Sequence, residues 1–374
     1  MRWSVCGKRS WVALTTNRGK RASADAKTRH LAGVHPFAGA HPFAKARPFA
    51  KTRHFAGVRP LAKASHSARV RPFVSLFSCT LCLALACLLG GCGGNGAGES
   101  TTDGPAYEEP ASITPAAFDA AAAIATGGGN IDVSHVAEGY VAASATNASR
   151  LKFQIVCGQA SYNYDLPGDG TPIVCPLNMG DGAYTFRIMQ NTSGNNYVEV
   201  ASASAQVSMA SEFEPWIRPN VFCSFTDSSA CVQQARDLAA SAANEGDVVR
   251  AIYGWVVDNI TYDNNKASEL ASATGYVPDP DQTLRDRTGV CFDYASLAAA
   301  MLRSLGIPCQ VITGYVEPDS LYHAWNMVYI NGSWVSVEFS IQPNTWTRMD
   351  LTFAAAGAGE STGDGTGYTD RYVY

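Results

Sequence analysis

The stretch that decides the fold is Gly289-Val-Cys-Phe-Asp-Tyr-Ala-Ser-Leu-Ala-Ala-Ala-Met-Leu-Arg-Ser-Leu-Gly-Ile-Pro308. Its apolar residues recur at the three- and four-residue spacing of a helix, and the glycine and proline near its end stop that helix. Cys291 is therefore predicted at the helix N-terminus. Unpaired backbone N–H groups and the positive end of the helix dipole stabilise a thiolate there, which is the reactive form of cysteine.

A thiolate nucleophile needs an imidazole that accepts and returns a proton, and the chain offers few candidates. After Cys92 the only histidines are His135 and His323. The pattern places His135 in the opening strand of a β-rich region. His323 stands in an alternating strand that turns at an Asn-Gly pair into a second strand. By elimination His323 is the expected partner of Cys291, although either residue alone would be better explained as ordinary core.

Three motifs, in this order, resemble the core of the transglutaminase-like superfamily. They are Gly289-Val-Cys-Phe-Asp-Tyr-Ala-Ser-Leu, Leu305-Gly-Ile-Pro-Cys-Gln-Val-Ile-Thr-Gly-Tyr and His323-Ala-Trp-Asn-Met-Val-Tyr-Ile-Asn-Gly-Ser-Trp. The resemblance covers about residues 245–355. It implies an α+β, papain-like core in which N-terminal helices and the nucleophile helix pack on an antiparallel sheet. It also implies that Cys291 attacks an amide carbonyl, that its backbone N–H helps to hold the oxyanion, and that His323 acts as general base and then acid.

The third member of the implied triad, a carboxylate that orients the imidazole, has two candidates. Family members commonly carry an aspartate on the strand after the histidine, and Glu338 stands at that place. Asp350, in Asp-Leu-Thr-Phe, matches the family's Asp-x-Thr-aromatic ending better. We therefore prefer Asp350 and interpret residues 334–341 and 346–353 as strands of an inserted hairpin arm that delays the aspartate. If Glu338 is the orienting carboxylate instead, its longer side chain changes the geometry of the triad, but the roles of Cys291 and His323 stay the same.

Charge divides the chain at Cys92. Up to that residue there are sixteen Lys and Arg against one acid, whereas the remainder has twelve bases and 31 acids. The acidic remainder argues against nucleic acid as a partner, because phosphates need stripes of Lys and Arg. Within residues 1–68 a basic hexapeptide recurs, with a proline in most units, which suits neither a helix nor a paired strand. We interpret this segment as sequence upstream of the true start or as disordered; a basic arm for anionic partners is the alternative.

Residues 69–92 have the layout of a secretory signal: arginines, then an apolar run, then small residues. The run ends in Leu89-Gly-Gly-Cys92, which resembles a bacterial lipobox. That resemblance implies lipid attachment to the Cys92 thiol and cleavage before it. We therefore expect a bacterial protein that is lipid-anchored to the cell membrane on its extracytoplasmic face, with residues 93–129 as a tether.

Residues 130–210 predict a small all-β sandwich, because short alternating stretches are separated by Gly, Asn, Asp and Pro. The expected strands are Gly139-Tyr-Val-Ala, Leu151-Lys-Phe-Gln-Ile-Val-Cys, Ala183-Tyr-Thr-Phe-Arg-Ile-Met and Tyr197-Val-Glu-Val. The sandwich precedes the transglutaminase-like domain, predicted over residues 211–374. In an oxidising compartment, Cys157 with Cys175 and Cys223 with Cys231 could form disulfides.

The function expected from these features is that of a surface-anchored cysteine enzyme acting on peptide or side-chain amides through a thioacyl intermediate. We favour hydrolysis, as in a peptidase or amidase, because water needs no second binding site. A protein or peptidoglycan crosslinking acyltransferase is one alternative, and a non-catalytic surface binding module is another. The expected partners are a protein or peptide substrate, a cell-wall peptide included, and the membrane through the lipid. No metal or cofactor motif is found in the sequence, and none is expected.

Overall fold

The structure, a computed structural model, describes residues 100–318, 320–335, 340–357 and 367–374. The basic repeats, the signal and Cys92 lie outside the described residues, and so does Glu338. The predictions made for them therefore stay predictions. All the helices and strands described below lie in one compact unit of the chain.

The first part of the described chain consists of strands. In order they are β1 (Thr101–Asp103), β2 (Ile124–Thr126), β3 (Gly129–Asp132), β4 (Tyr140–Ser144), β5 (Leu151–Cys157), β6 (Ala160–Leu166), β7 (Ile173–Pro176), β8 (Gly182–Ser193) and β9 (Asn196–Val207). Eight of them form two antiparallel sheets, with the orders β2-β3-β4-β7 and β6-β5-β8-β9. Alternate side chains are buried, for example Phe153 and Ile155 on β5. The predicted all-β region is confirmed.

The predicted strands are found at the expected positions, but some of them are longer than predicted. The stretch Leu151–Cys157 is observed with the predicted bounds, whereas β8 and β9 each run for 12 residues and exceed the predicted stretches. The strand expected at His135 is wrong. β3 ends at Asp132, whose side chain accepts the backbone N–H of Ser134 at 2.9 Å and turns the chain, so that His135 precedes a short 3-10 turn.

The second part begins with helices. In order the elements are α1 (Ala230–Ala239), α2 (Glu245–Asn259), β10 (Thr261–Tyr262), α3 (Asn264–Leu270), α4 (Pro280–Asp286), β11 (Thr288–Gly289) and α5 (Cys291–Ser304). The side chains of Asn244, Asp263 and Asp279 each accept a backbone N–H and start α2, α3 and α4. Helix α5 begins at Cys291 as predicted. All its later residues are buried, which makes it the central helix.

An antiparallel sheet packs against this central helix. The remaining elements are β12 (Cys309–Val316), β13 (Leu321–Val328), β14 (Ser333–Val335), β15 (Ser340–Ile341), β16 (Thr347–Met349), α6 (Leu351–Ala355) and β17 (Tyr368–Val373). The sheet has the order β16-β13-β12-β17, and α5 contacts β12 and β13. The predicted α+β core, with the nucleophile helix on an antiparallel sheet, is confirmed.

The strand expected over residues 346–353 is wrong in its second half. β16 stops at Met349, and α6 starts at Leu351. Asp350 ends the strand because its Oδ1 accepts the backbone N–H of Phe353 at 3.1 Å, which is the bond of a helix N-cap. The alanines that follow Phe353 favour a helix over a strand.

The segment before the sandwich is not the free tether that was expected over residues 93–129. From Thr101 onward it is tied to the rest of the structure: β1 pairs with β14, and the Tyr107 hydroxyl donates to the backbone oxygen of Leu305 at 3.0 Å. Ile113 is buried in the main core. Burial of these apolar side chains stabilises the packed path over a solvated one.

The six described cysteines are free thiols, so neither suggested disulfide is formed. Cys157 and Cys291 are half-buried, and the other four are buried. Among the described residues, no helix is both long and apolar enough to cross a bilayer.

Candidate active site

Three elements bring the predicted site residues together. Cys291 is the first residue of α5, His323 lies near the start of β13, and Asp350 follows β16. β13 and β16 are neighbours in the sheet, with Asn326 paired to Met349, so the residue after β16 falls beside the start of β13. The structure therefore places Asp350 at His323.

His323 and Asp350 form a buried hydrogen-bonded pair. The Nε2 atom of His323 lies 2.8 Å from Oδ2 of Asp350, and the two side chains are 3% and 0% exposed. The other carboxylate oxygen, Oδ1, accepts the backbone N–H of Phe353. Oδ2 also accepts the hydroxyl of Tyr368 at 2.9 Å. A buried carboxylate needs such donors, because burial without partners is costly.

The Cys291 thiol lies close enough to the same imidazole for its charge to act on His323. Since Nε2 of His323 is engaged by Asp350, Nδ1 is the nitrogen that remains for the thiol. Cys291 is half-buried, whereas His323 is almost fully buried. The sulfur is thus the member of the triad that a substrate can reach.

The charges in this cluster decide the protonation of the imidazole. Burial alone would lower the pKa of His323, but the charges of Asp350 and Cys291 outweigh burial and raise it to about 10. Burial opposes the shift of Asp350 as well, yet the neighbouring imidazole holds the pKa of that carboxyl below its usual value. The arrangement therefore favours a protonated His323 beside an ionised Asp350 at neutral pH.

Aromatic rings restrict the orientation of the imidazole. The ring of His323 stacks on Phe353, with centroids 4.5 Å apart and an interplanar angle of 14°. The ring of Trp325 lies at 6.3 Å on the same strand. Trp325 and Tyr294 are each 1% exposed and belong to the packing. Rotation of the imidazole away from Asp350 would break the stack and the hydrogen bond together.

The N-terminus of α5 carries a second buried carboxylate, Asp293. Its Oδ2 accepts the backbone N–H of Val290 at 2.8 Å and lies 2.7 Å from Nζ of Lys266, while its Oδ1 accepts the hydroxyl of Tyr276. The positive end of the helix dipole favours this carboxylate, but an uncompensated negative charge here would repel a thiolate at Cys291. Lys266 supplies the compensating charge.

Tyr262 stands beside the nucleophile. Its strand, β10, pairs in parallel with β11, which runs directly into α5. Burial, followed by the proximity of Cys291, raises the pKa of Tyr262. The fold thus brings this tyrosine close to the Cys291 sulfur.

Three contributors were not predicted from the sequence: Tyr368, Lys266 and Asp293. Asp293 carried a local signal, since it lies three residues after Val290 at a helix start, where acids act as caps. Lys266 and Tyr368 carried none, because each reaches the site from an element remote in sequence. The described residues contain no group of three or more metal-ligating side chains that could hold an ion.

Comparison with known proteins relates part of the chain to one family. Residues 232–350 match the family described as the transglutaminase-like superfamily. Human kyphoscoliosis peptidase is 28% identical over 154 residues, which are 38% of this chain and 22% of the human protein. Cytokinesis protein 3 of Schizosaccharomyces pombe is 30% identical over 110 residues, 29% of this chain and 11% of the yeast protein. The matches thus span about a fifth or less of these relatives.

Among solved structures, red sea bream transglutaminase aligns with 14% identity and a TM-score of 0.26, over 57% of this chain and 48% of that one. The matched interval of the family contains Cys291, His323 and Asp350 and ends at the last of them. Residues 232–350 are therefore the part of the chain that is similar to the transglutaminase-like superfamily. The resemblance inferred from the three motifs is confirmed.

Proposed function

We propose that the protein is a cysteine hydrolase that cleaves peptide or side-chain amides through a thioacyl intermediate on Cys291. One observation carries the proposal: the buried His323–Asp350 pair beside a reachable thiol at a helix N-terminus. A merely structural histidine and cysteine do not require a buried carboxylate held by three donors. General base, orienting acid and nucleophile are the roles that such a set supplies.

The chemistry follows from the protonation of the three groups. The Cys291 thiolate attacks the amide carbonyl, and the C–N bond breaks as protonated His323 delivers its proton to the leaving nitrogen. This step leaves a thioester and a neutral imidazole. Water then gives a proton to His323 and attacks the thioester, which releases a carboxylic acid and returns the thiolate–imidazolium pair. The backbone N–H of Cys291, at the first position of α5, has no intrahelical acceptor and is available to the oxyanion.

Hydrolysis is favoured over transfer to an amine for two reasons. Water requires no acceptor groove, whereas an amine acceptor does. The human relative of this domain is named a peptidase. Crosslinking of proteins or of cell-wall peptides remains the alternative outcome of the test below.

The first test measures the nucleophile. The purified protein is treated with iodoacetamide at about pH 6 and about pH 8, with Cys291→Ala as control, and each cysteine is read by mass spectrometry. We expect Cys291 to be labelled already at the lower pH. Cys157, the other half-buried thiol, is the internal reference. If Cys291 is labelled to the same extent as Cys157 at both pH values, Cys291 is not an activated thiolate. The non-catalytic binding module then becomes the favoured alternative.

The second test separates hydrolysis from transfer. Dimethylated casein is incubated with the protein and a dansylated amine in water labelled with heavy oxygen, again with Cys291→Ala as control. New carboxyl groups that carry heavy oxygen are expected. Incorporation of the amine without heavy oxygen would instead identify an acyltransferase.

We propose further that the chain is anchored to the extracytoplasmic face of a bacterial membrane by lipid on Cys92. The support is the Leu-Gly-Gly-Cys tetrad after the apolar run. Expression with an alkyne fatty acid should give a membrane-bound, click-reactive protein, and Cys92→Ala should abolish both properties. A wild-type protein that takes up no fatty acid would refute the anchor.

A further inference from the structure

The hydroxyl of Tyr368 contacts the triad from a strand that lies outside the family match. It donates to Oδ2 of Asp350 at 2.9 Å, the same oxygen that accepts from His323. Tyr368 opens β17, beyond the matched interval that ends at Asp350. Burial and the adjacent carboxylate raise the pKa of Tyr368, so its hydroxyl keeps its proton and serves Asp350 as a donor.

The ring of Tyr368 is held in place by its neighbours. Trp325 meets it edge-on, with centroids 4.9 Å apart, and the guanidinium of Arg348 lies 4.3 Å from its centroid. Both contacts involve the ring and not the oxygen. The direction of the hydroxyl is therefore fixed by packing, and its bond to Asp350 does not have to order a free side chain.

The far end of β17 is fixed as well. The buried guanidinium of Arg303 donates to the backbone oxygen of Tyr374 at 2.8 Å. The Asn178 side chain, from the β-rich part, donates to the backbone oxygen of Val373 at 2.6 Å. Between these points β17 pairs with β12 along the sheet. The strand is thus a rigid support that reaches from the β-rich part to the triad.

We propose that Tyr368 is a positioning residue of the active site, which fixes the Asp350 carboxylate so that Oδ2 faces Nε2 of His323. The backbone of Phe353 holds Oδ1, and Tyr368 holds Oδ2, so the carboxylate plane has two fixed points. Without the hydroxyl, Oδ2 keeps only its contact with the imidazole that it has to orient, and the carboxylate loses its second independent fixed point. The catalytic consequence rests on the proposed function; the geometric role does not.

The test removes one oxygen atom. Tyr368→Phe keeps the ring contacts with Trp325 and Arg348 and loses only the donor. The matched control is Tyr315→Phe, because the hydroxyl of Tyr315 accepts from Arg371 of the same strand β17 at 2.6 Å. Any loosening of β17 as a whole would affect both variants, whereas loss of the Asp350 contact affects only one. Thermal unfolding verifies that each variant is folded at the assay temperature.

Two readouts report on the triad. The first is the rate of Cys291 alkylation by iodoacetamide near neutral pH, which should fall roughly tenfold in Tyr368→Phe, since a hydrogen bond to a charged group is lost. The second is the exchange with water of the His323 Nε2 proton, followed by NMR, which should become roughly tenfold faster. Tyr315→Phe should leave both readouts within about twofold of the wild type. Unchanged alkylation and exchange in Tyr368→Phe would overturn the proposal.

A double-mutant cycle shows whether Tyr368 acts through Asp350. Once Asp350→Asn is present, Tyr368→Phe should cause little further loss, because its acceptor has changed. Equal losses with and without Asp350→Asn would show that the tyrosine has only a general structural role. The proposed function fails separately: a wild-type Cys291 that is not labelled at low pH would refute it, while the His323 proton would still report on Tyr368.

Discussion

His135 in the β-rich part and His323 in the α+β part share a local pattern, since each imidazole stacks on an aromatic ring and faces a carboxylate. At His135 the ring is Tyr140, with centroids 4.7 Å apart, and the nearest carboxylate is that of Glu138 at 3.3 Å. At His323 the ring is Phe353 at 4.5 Å. By neighbour type alone, the two sites would be equivalent.

Burial and the nucleophile separate them. The His135 side chain is 26% exposed and its Glu138 partner 47%, whereas His323 and Asp350 are 3% and 0% exposed. Water screens the first pair and leaves it weak, while the second pair acts at short range in a low dielectric. Only His323 has a thiol partner in the described structure. An acid and an aromatic beside a histidine therefore do not define a site; shielding from water and a reactive partner do.

The largest expected effect tests this comparison directly. His323→Ala should slow Cys291 alkylation near neutral pH by at least about 100-fold, the lower end of what a positioned general base contributes. His135→Ala removes the same group from the β-rich part and should leave the rate unchanged. Alkylation kinetics of both variants, with circular dichroism to verify folding, decide the matter. A rate in His323→Ala that equals the wild-type rate would contradict the ion pair.

The sequence predicted the site better where the signal was local. Cys291 was placed by helix periodicity and His323 by strand alternation and elimination, and both lie where they were expected. Asp350 was preferred because of its motif. The strand predicted to contain it ends at Met349, and Asp350 is instead the N-cap of α6. An N-cap depends on one hydrogen bond between a side chain and a backbone N–H. This bond competes with strand pairing, and the tertiary structure decides which of the two forms.

What the sequence could not predict depends on distant chain segments. Tyr368 reaches Asp350 through the pairing of β17 with β12, and no periodicity encodes which strand joins which edge. The predicted tether failed for the same reason. β1 is only three residues long and polar, and its pairing with β14 becomes visible only in the folded chain.

The next largest effect concerns charge balance at the nucleophile helix. Lys266→Met should lower the free energy of unfolding by about 3 kcal/mol, because it leaves the Asp293 carboxylate, 1% exposed, without its countercharge. The matched change is Lys152→Met in the β-rich part, whose partner Asp165 is 32% exposed and can be solvated, so the loss should be about 1 kcal/mol or less. Urea unfolding of both variants gives the two values. Equal losses would show that burial of the acid partner does not make Lys266 more important than Lys152.

A smaller effect is the dependence of stability on pH, best seen in Cys291→Ala, where the imidazole has only Asp350 as charged partner. Burial acts to lower the folded-state pKa of His323, whereas the charge of Asp350 and its hydrogen bond act to raise it, and we expect the pair with Asp350 to prevail in this variant. The stabilisation is then complete below about pH 6.5 and is lost as the pH rises towards the folded-state pKa, by up to about 1.4 kcal/mol per pH unit. The lowered pKa of Asp350 gives the opposite limb, present above about pH 4 and lost as the pH falls.

Urea unfolding across this range measures the slope. Adding His323→Ala to Cys291→Ala should flatten the stability curve above about pH 6.5, because the group that binds the extra proton is gone. Adding His135→Ala instead should keep the slope. A slope that survives His323→Ala would assign the proton to another group.

The smallest effect separates the stacked ring from the carboxylate. Phe353→Leu keeps the backbone N–H that holds Oδ1 of Asp350 and removes only the aromatic face against the imidazolium. Such a contact contributes about 1 kcal/mol, so alkylation of Cys291 near neutral pH should slow about fivefold. Tyr140→Leu removes the corresponding face at His135 and should leave the alkylation rate unchanged. If Phe353→Leu reacts at the wild-type rate, the ring serves packing alone, and the difference between the two histidines reduces to burial, the carboxylate and the thiol.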